Sequence, residues 1–202
     1  MKRSCDLILG LAALILSLPA ILLIGILVLA MDGRPVLFRQ VRVGRGGTPF
    51  TMFKFRTMRT LHDESGRLLP DERRVTPLGG FLRRFRLDEL PELWLVVTGR
   101  MSLVGPRPLP REVLEGLPGR EERSSLRPGL TGLAQVSGNT QLTNQEKIAL
   151  DLFYRRHWTF GLDIRIMFQT VVMLAFGGHR DEALIRRALG EFGAGPAVEA
   201  RS

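Results

Sequence analysis

The sequence has little cysteine and little histidine, and this excludes two kinds of stabilising site. Its 202 residues include one cysteine, Cys5, and three histidines. A single cysteine cannot form a disulfide within the chain, and three scattered histidines do not make up a zinc site. Acidic residues are also in the minority, 20 against 29 basic residues. The net charge of +9 indicates a polyanionic partner, namely nucleic acid, an anionic membrane or a phosphorylated substrate.

The glycine-rich segments lack the common nucleotide-binding motifs. The glycines between 44 and 47 lack the third glycine at dinucleotide-binding spacing, and those between 129 and 138 lack the Lys-Ser/Thr ending of a P-loop. No known nucleic-acid-binding motif is present, and the aromatic residues sit among apolar residues rather than on a polar stacking surface. We therefore expect a membrane or a phosphorylated substrate as the partner, and no nucleic acid.

One long hydrophobic run dominates the N-terminal part of the chain. Leu7 to Met31 is 25 residues without a charge, bounded by Asp6 and Asp32. A helix of this length reaches about 37 Å, whereas the hydrocarbon core of a bilayer is about 30 Å thick. The apolar run is too long for a signal peptide, and no clean cleavage site follows it. The run therefore predicts a helix that enters the membrane.

A proline and the flanking charges favour a re-entrant hairpin over a simple span. Pro19 lies near the middle of the run and cannot donate to the carbonyl of Ile15, although the Ser17 hydroxyl could satisfy a freed backbone group. Basic residues flank both ends: Lys2 and Arg3 before the run, and Arg34, Arg39, Arg42 and Arg45 after it. The positive-inside rule places both ends in the cytoplasm. We expect a helix broken at Pro19 that enters one leaflet and returns. A kinked spanning helix is the alternative.

The rest of the chain predicts an α+β fold that is predominantly helical, with a small strand region. We expect three parts, which are a re-entrant membrane helix at 1–33, a cytosolic domain at the membrane surface at 34–180 and a C-terminal tail at 181–202. Phe81 and Phe85 lie beside arginines in the predicted helix Leu78–Leu87. This mixture is typical of an amphipathic helix in the headgroup layer, and a core helix with a basic exposed face is the alternative.

The other predicted elements follow from local patterning. Strands and a turn are expected at 36–59 and a mobile polar loop at 60–75. The remaining helices are predicted at 88–97, 112–123, 144–156 and 164–176, with loops at 101–110 and 127–139. The helix at 164–176 is apolar but too short to span a membrane, so we expect it to be buried or interfacial.

Two adjacent carboxylates, Asp88 and Glu89, follow a group of arginines and begin a predicted helix. A purely structural role also explains them, because Asp88 can cap the N-terminus of this helix and Glu89 suits its first turn. The functional interpretation is compatible with that role. A carboxylate among arginines stays ionised and can attack phosphorus, and its neighbour can hold Mg²⁺ through oxygen.

Three further cations accompany the two acids. Lys54 and Arg56 lie on a predicted strand, and Arg107 lies between two prolines, which stiffen its backbone for bidentate phosphate binding. Each has an ordinary alternative, a solvated strand face for the first two and a surface ion pair for Arg107. Together with the membrane hairpin, the set indicates phosphoryl chemistry at a bilayer surface.

Four segments resemble the bacterial sugar transferases known as monotopic phosphoglycosyl transferases, in their small form that consists of the catalytic core. They are Lys54–Met58, Leu87–Leu93, Met101–Pro108 and Arg127–Gly138. The resemblance extends in order from about Lys2 to Phe176 and is specific, because several motifs occur consecutively. It departs at Leu18, which separates Ser17 from Pro19, and at Leu95, Arg100 and Asn139.

The resemblance implies an enzyme of the bacterial inner membrane, with its catalytic domain on the cytoplasmic face. Such enzymes transfer a sugar 1-phosphate from a UDP-sugar to polyprenol phosphate, such as undecaprenyl phosphate, and release UMP. This is the first membrane step of glycoconjugate assembly. By this match Asp88 is the nucleophile that forms a covalent phosphosugar intermediate, Asp88 and Glu89 hold Mg²⁺, and Lys54, Arg83 and Arg107 surround the phosphates.

Several alternatives stay open on the sequence alone. Asp88 could act as general base in a direct transfer. The chain could instead be a non-catalytic membrane-anchored protein that binds anionic lipid or nucleic acid, or a silent scaffold. The sugar, the polyprenol, the glycan and the oligomeric state, including a homo-oligomer, are not determined.

Overall fold

The computed structural model describes residues 2–193, and these form a predominantly helical α+β fold. The helices are α1 Lys2–Asp32, α2 Asp71–Arg74, α3 Pro77–Arg84, α4 Leu93–Val97, α5 Arg111–Leu114, α6 Arg120–Ser124, α7 Leu133–Val136, α8 Asn144–Arg156, α9 Phe160–Phe176 and α10 Glu182–Gly193. The strands are β1 Leu37–Val43, β2 Pro49–Phe55, β3 Ser102–Val104 and β4 Gly129–Thr131. Short 3-10 helices occupy Arg45–Gly47, Leu87–Glu92 and Asn139–Gln141. The predicted fold class is therefore confirmed at this level.

Helix α1 is continuous through Pro19, so the predicted interruption of helical structure at this residue is not observed. A proline removes one backbone hydrogen bond, and an apolar helix tolerates that loss when a side chain satisfies a nearby group. The Ser17 hydroxyl donates to the carbonyl of Leu14 at 3.1 Å, not to that of Ile15. Of the described helices, α1 is the one long and apolar enough to cross a membrane.

The N-terminal end of α1 is fixed to the rest of the protein by charged side chains. Lys2 Nζ lies 2.5 Å from Asp163 Oδ2. Arg3 donates to the backbone carbonyls of Val96 and Val97, at the C-terminal end of α4, at 2.6 and 2.8 Å. The buried Asp6 carboxylate accepts from Ser102 Oγ at 2.7 Å. These contacts place the start of the membrane helix against α4 and β3.

The C-terminal end of α1 is fixed to the same body. Ile24 and Val28 are buried against Phe55 of β2 and Leu82 of α3. The Asp32 carboxylate accepts a hydrogen bond from Thr76 Oγ1 at 3.0 Å. Between the two anchored ends, large apolar side chains of α1 are exposed, including Ile15, Leu16, Leu22 and Leu23. Both ends of α1 therefore contact the folded part of the chain, and its middle does not.

An antiparallel hairpin of β1 and β2 follows α1, as the sequence predicts. Leu37 pairs with Phe55 and Val43 with Pro49, and a glycine-containing turn joins the strands. Because successive side chains of a strand point to opposite faces, Phe50 and Met52 share one face. Both are buried against Leu95 of α4 and Met101. The hairpin is therefore held against the segment that carries the two candidate acids.

Strands β3 and β4 form a parallel pair that the sequence does not predict, because both lie in segments expected to be loops. The pair depends on close backbone approach at glycine. A Cβ atom on Gly129 would lie 2.1 Å from the backbone nitrogen of Gly105. The glycines that indicate a loop are instead needed for packing. Helix α7 also lies within the second predicted loop.

Helices α7 to α10 enclose the main hydrophobic core. Helix α8 has the predicted bounds, and a capping box of Thr143 and Glu146 fixes its start. The segment expected to be a C-terminal tail instead contains α10, with Ile185 and Ala188 buried in this core. Residues 194–202 of that segment lie outside the described residues.

Two predicted helices are divided in the structure. The predicted helix at 88–97 consists of the 3-10 helix Leu87–Glu92 followed by α4. Pro91, which lacks an N–H, lies inside the 3-10 helix, two residues before α4 begins. The predicted helix at 112–123 consists of α5 and α6. Gly116 and Pro118 interrupt it, as both disfavour a helix interior. Helix α2 adds a helical turn to the predicted loop at 60–75.

Apolar side chains are exposed on α3 and α9. On α3 and just after it, Phe81 and Phe85 are exposed while Leu82 is buried. On α9, Phe168 and Phe176 are 68% and 86% exposed, whereas Ile166 is buried. Exposed aromatic residues on this scale are rare in soluble monomers and are typical of a face that meets a membrane. Of the two predictions for α9, the interfacial one agrees with this exposure.

Candidate active site

The two candidate acids lie on the 3-10 helix Leu87–Glu92, and both are buried. Arg86, just before this helix, has a left-handed backbone with φ of 53°. A residue other than glycine is strained in this region by about 1 kcal/mol or more, and such strain is concentrated at functional sites. The turn redirects the chain from α3, so that Asp88 and Glu89 face inward.

Glu89 is held by two arginines from different parts of the chain. Its Oε2 atom accepts from Arg86 Nη2 at 2.5 Å, and its Oε1 atom accepts from Arg107 Nη2 at 2.8 Å. Burial alone would raise the pKa of Glu89, but the charges of Arg107 and Arg86 outweigh burial and lower it. Glu89 is therefore ionised at neutral pH, and it connects the segment after α3 to the loop after β3.

Asp88 differs from its neighbour in having no ion pair among residues 2–193. Its side chain is buried, and burial, followed by the charge of Glu89, raises its pKa. Lys54 and Arg83 oppose this rise. The expectation that arginines favour the ionised form thus describes Glu89 better than Asp88. An unpaired carboxylate beside two cations keeps its oxygens available for a phosphorylated ligand.

Lys54 and Arg83, the two cations whose charges act on Asp88, lie on two elements that contact each other. Lys54 lies near the end of β2, and Arg83 lies in the last turn of α3. The Arg83 Nε atom donates to Thr57 Oγ1 at 2.8 Å, which fixes its orientation. Gly79 permits this packing, because a Cβ there would lie 2.1 Å from the Thr57 carbonyl oxygen. Lys54 and Arg83 also line a cavity of about 980 Å³.

Arg107 is positioned by a buried ion pair that the sequence analysis does not identify. Arg123 Nη2 donates to the backbone carbonyl of Arg107 at 2.6 Å. The same guanidinium binds Asp151 through Nε at 2.7 Å, and both side chains are at most 5% exposed. The contact joins the loop after β3 to α6 and α8. No local pattern predicts it, since these residues are separated widely in sequence.

Arg56 is not brought into the cluster around Asp88. Its guanidinium donates to the backbone carbonyls of Asp32, Gly33 and Arg34, just where α1 ends. A cation at a helix C-terminus satisfies free carbonyls. Although Arg56 lines the 980 Å³ cavity, its main contacts connect the membrane helix to β2.

Glu92 is a third acid at the site, and the sequence analysis treats it only as part of a motif. Its side chain is 3% exposed, and its Oε1 atom has no hydrogen-bond partner in the described part of the chain. Burial, followed by the charge of Glu89, raises its pKa to about 8. Glu92 therefore carries a proton at neutral pH, and Lys54 and Arg107 reduce this effect without reversing it. The occurrence of three acids within five residues, at 88, 89 and 92, could have indicated Glu92 as a site residue.

The donor set is compatible with the predicted Mg²⁺. This ion is usually bound by one or two carboxylates together with substrate phosphates and water. Asp88 has no ion pair within residues 2–193. Glu89 Oε2 accepts two bonds from Arg86, whereas Oε1 accepts one bond, from Arg107, and keeps a second acceptor position. Among residues 2–193 no group of three or more potential metal ligands converges. Asp88 and Glu89 would therefore hold the ion only together with ligands from the substrate and water.

Comparison with known proteins identifies related sequences along most of the chain. A family model described as bacterial sugar transferase matches residues 1–177. The chain is 45% identical over 140 residues to an uncharacterized sugar transferase, EpsL, of Bacillus subtilis, which covers 69% of each protein. It is 37% identical over 190 residues to the exopolysaccharide production protein ExoY of Sinorhizobium fredii, covering 84% of this chain and 83% of that protein.

A third relative carries a reaction in its name. The UDP-glucose:undecaprenyl-phosphate glucose-1-phosphate transferase of Escherichia coli is 37% identical over 185 residues. The alignment covers 85% of this chain but 39% of that protein. The chain therefore spans well under half the length of this relative, and its match is to one part of it.

Proposed function

Because the chain belongs to the bacterial sugar transferase family, we propose that it transfers a sugar 1-phosphate from a UDP-sugar to polyprenol phosphate. UMP is released, and a polyprenyl-diphosphate sugar remains in the membrane. The name of the Escherichia coli relative supports this reaction class. The observation that carries the proposal is the buried Asp88, which has no ion pair in the described part of the chain and whose raised pKa is opposed by the charges of Lys54 and Arg83.

The reaction proceeds in two steps through Asp88. In the first step a carboxylate oxygen attacks the phosphorus that carries the sugar, and the bond to UMP breaks with its electron pair leaving on UMP. In the second step an oxygen of the lipid phosphate attacks the same phosphorus, and the Asp88 carboxylate leaves. Covalent catalysis divides one difficult transfer into two easier ones.

The surrounding residues have distinct roles in this scheme. Lys54 and Arg83 bind the phosphate oxygens, because both line the 980 Å³ cavity and the charges of both act on Asp88. Arg107 and Arg86 hold Glu89 ionised beside the nucleophile. Mg²⁺, when bound, would offset the negative charge that develops on the diphosphate. Preorganised charges of this kind stabilise the transition state without reorganising during the reaction.

The membrane helix supports a location at the bilayer surface. Lys2 and Asp32, at opposite ends of α1, both contact the folded domain. A helix that crosses the bilayer would separate its ends by about 30 Å of hydrocarbon, and one domain could not hold both. We therefore propose that both ends of α1, which stays helical through Pro19, lie on the cytoplasmic side of the inner membrane and that its exposed middle enters the cytoplasmic leaflet. Tags at both termini should be protected from reagents outside the cell, and labelling of the N-terminal tag alone would contradict this topology.

The reaction is tested by UMP release from a panel of UDP-sugars, with polyprenol phosphate and Mg²⁺. We expect the turnover of Asp88→Asn to be at least about a thousandfold lower than that of wild type, because an amide cannot act as the nucleophile. Asp63→Asn is the matched control, since Asp63 lies in an exposed turn, and it should leave turnover unchanged. Normal turnover by Asp88→Asn would refute the proposal.

The covalent step has a separate test. With labelled UDP-sugar and no lipid, the protein should release at most one UMP per active site and retain the labelled phosphosugar on Asp88. A strict requirement for both substrates before any UMP appears would instead support direct transfer, with Asp88 as general base.

A further inference from the structure

A second cavity, of about 290 Å³, has Arg83 as a lining residue in common with the larger one. It is bounded by α3, by the 3-10 helix Asn139–Gln141 and by the end of α9. We call it the Gln135 pocket. The lining residues that matter here are Arg83, Arg86, Gln135, Asn139, Thr140 and Met173. Its volume is sufficient for one sugar ring and too small for a complete nucleotide sugar.

Gln135 is the least satisfied polar group of this pocket. Its side chain is 2% exposed, and its Nε2 atom donates to the carbonyl of Leu130 at 3.3 Å. Its Oε1 atom is buried and has no partner among the described residues. A buried acceptor without a donor is costly, and such groups usually receive a hydrogen bond from a ligand or from water. The ligand of this pocket should therefore carry a hydrogen-bond donor.

The chemistry of the lining indicates a sugar rather than a bare phosphate. A phosphate dianion offers only acceptors, so it cannot satisfy Gln135 Oε1. A sugar hydroxyl both donates and accepts, and the amides of Gln135 and Asn139 and the hydroxyl of Thr140 are its usual partners. Met173 adds an apolar surface for the C–H groups of a sugar ring. Arg83, Arg84 and Arg86 also line the pocket, so its wall is largely polar, which suits sugar hydroxyls next to a phosphate.

The pocket is connected to the reacting carboxylate through two arginines. Arg86, which lines the pocket, binds Glu89, the neighbour of Asp88 in the chain, at 2.5 Å. Arg83 lines both cavities. A donor whose reacting phosphorus lies at Asp88 can therefore place its sugar in the Gln135 pocket and its nucleotide in the larger cavity beside Lys54.

We infer that the Gln135 pocket binds the sugar of the UDP-sugar donor, and that Gln135 helps to select the sugar by accepting a hydrogen bond from one of its hydroxyls. This inference rests on the proposed function. It assigns the sugar to this pocket and the nucleotide to the larger cavity.

The test compares Gln135→Met with wild type in the UMP-release assay. Methionine keeps the length of the side chain and removes its amide. We expect kcat/KM for the preferred UDP-sugar to fall about tenfold to a hundredfold, because a sugar hydroxyl loses its partner. Inhibition by UDP, which has no sugar, should stay unchanged, as should KM for polyprenol phosphate. Gln145→Met is the matched control on the exposed start of α8 and should behave as wild type.

Donors that lack one hydroxyl each provide the decisive measurement. One deoxy-sugar donor should lose activity with wild type and lose little more with Gln135→Met, because both changes remove the same hydrogen bond. Fully additive losses for every deoxy position would overturn the inference. A rise in KM for polyprenol phosphate would assign the pocket to the lipid and overturn it as well.

Unchanged UDP inhibition also shows that the variant is folded. A wild-type protein that releases no UMP from any UDP-sugar contradicts the proposed function itself. A wild type that turns over, together with a Gln135→Met variant that has normal kcat/KM, contradicts only the inference about the pocket. The two failures are therefore distinguishable.

Discussion

The buried ion pair between Arg123 and Asp151 should be essential both for stability and for the position of Arg107. The two charges are 2.7 Å apart, and their side chains are at most 5% exposed. Removing one partner of a buried pair leaves an uncompensated charge and costs about 3 to 5 kcal/mol of unfolding free energy. For a chain of this length, each kcal/mol lowers Tm by about 2–4 °C. We therefore expect Asp151→Asn to lower Tm by about 10 °C.

The activity of a double variant separates stability from positioning. Arg123→Met combined with Asp151→Leu removes both charges, and such replacements restore most of the lost stability. The carbonyl of Arg107 still loses the donor that holds it at 2.6 Å. We expect the double variant to unfold near the wild-type temperature yet to release UMP about tenfold more slowly, since misplaced catalytic groups cost about this much or more.

Thermal unfolding in nanodiscs and UMP release measure the two effects. Glu122→Gln is the control, because Glu122 pairs with Arg155 at the surface, where an ion pair contributes about 0–1 kcal/mol. The reasoning is refuted if Asp151→Asn destabilises no more than Glu122→Gln. It is also refuted if the double variant is stable and releases UMP at the wild-type rate, since Arg107 would then not depend on Arg123.

Two further predictions concern the same site. Glu92 has a pKa of about 8 in the folded protein, above its unfolded value of 4.5, so stability present below about pH 4.5 should be lost as the pH rises towards 8. Glu92→Gln should remove most of this pH dependence between pH 5 and 8, measured by thermal unfolding, and an unchanged slope would show that another group causes it. Gly79→Ala should destabilise the protein by about 2 kcal/mol and reduce UMP release, because its Cβ would force α3 away from Thr57. Gly80→Ala, with its nearest contact at 3.8 Å, should change neither property.

Sequence reasoning identified the features that depend on local pattern. Periodicity and turn residues gave the β1–β2 hairpin and α8, and the capping box of Thr143 and Glu146 explains why the start of α8 was predictable. The long apolar run identified α1, because its length and lack of charge do not depend on the rest of the fold. The motif around Asp88 and Glu89 identified the two acids, and the structure places Lys54, Arg83 and Arg107 around them.

Tertiary structure alone decided the features that need distant residues. Glycines in segments predicted to be loops permit the approach of β3 and β4. Ser102 pairs with Gly129, 27 residues later, and a contact this distant leaves no local sequence pattern. Arg56 resembled a phosphate-binding residue in sequence, but the end of α1 supplies the carbonyls that its guanidinium contacts. The pKa of Glu92 is raised because its side chain is buried and because the negative charge of Glu89 acts on it. Burial and partner charge are properties of packing, so a sequence can supply the chemical groups while only the fold sets their protonation and their partners.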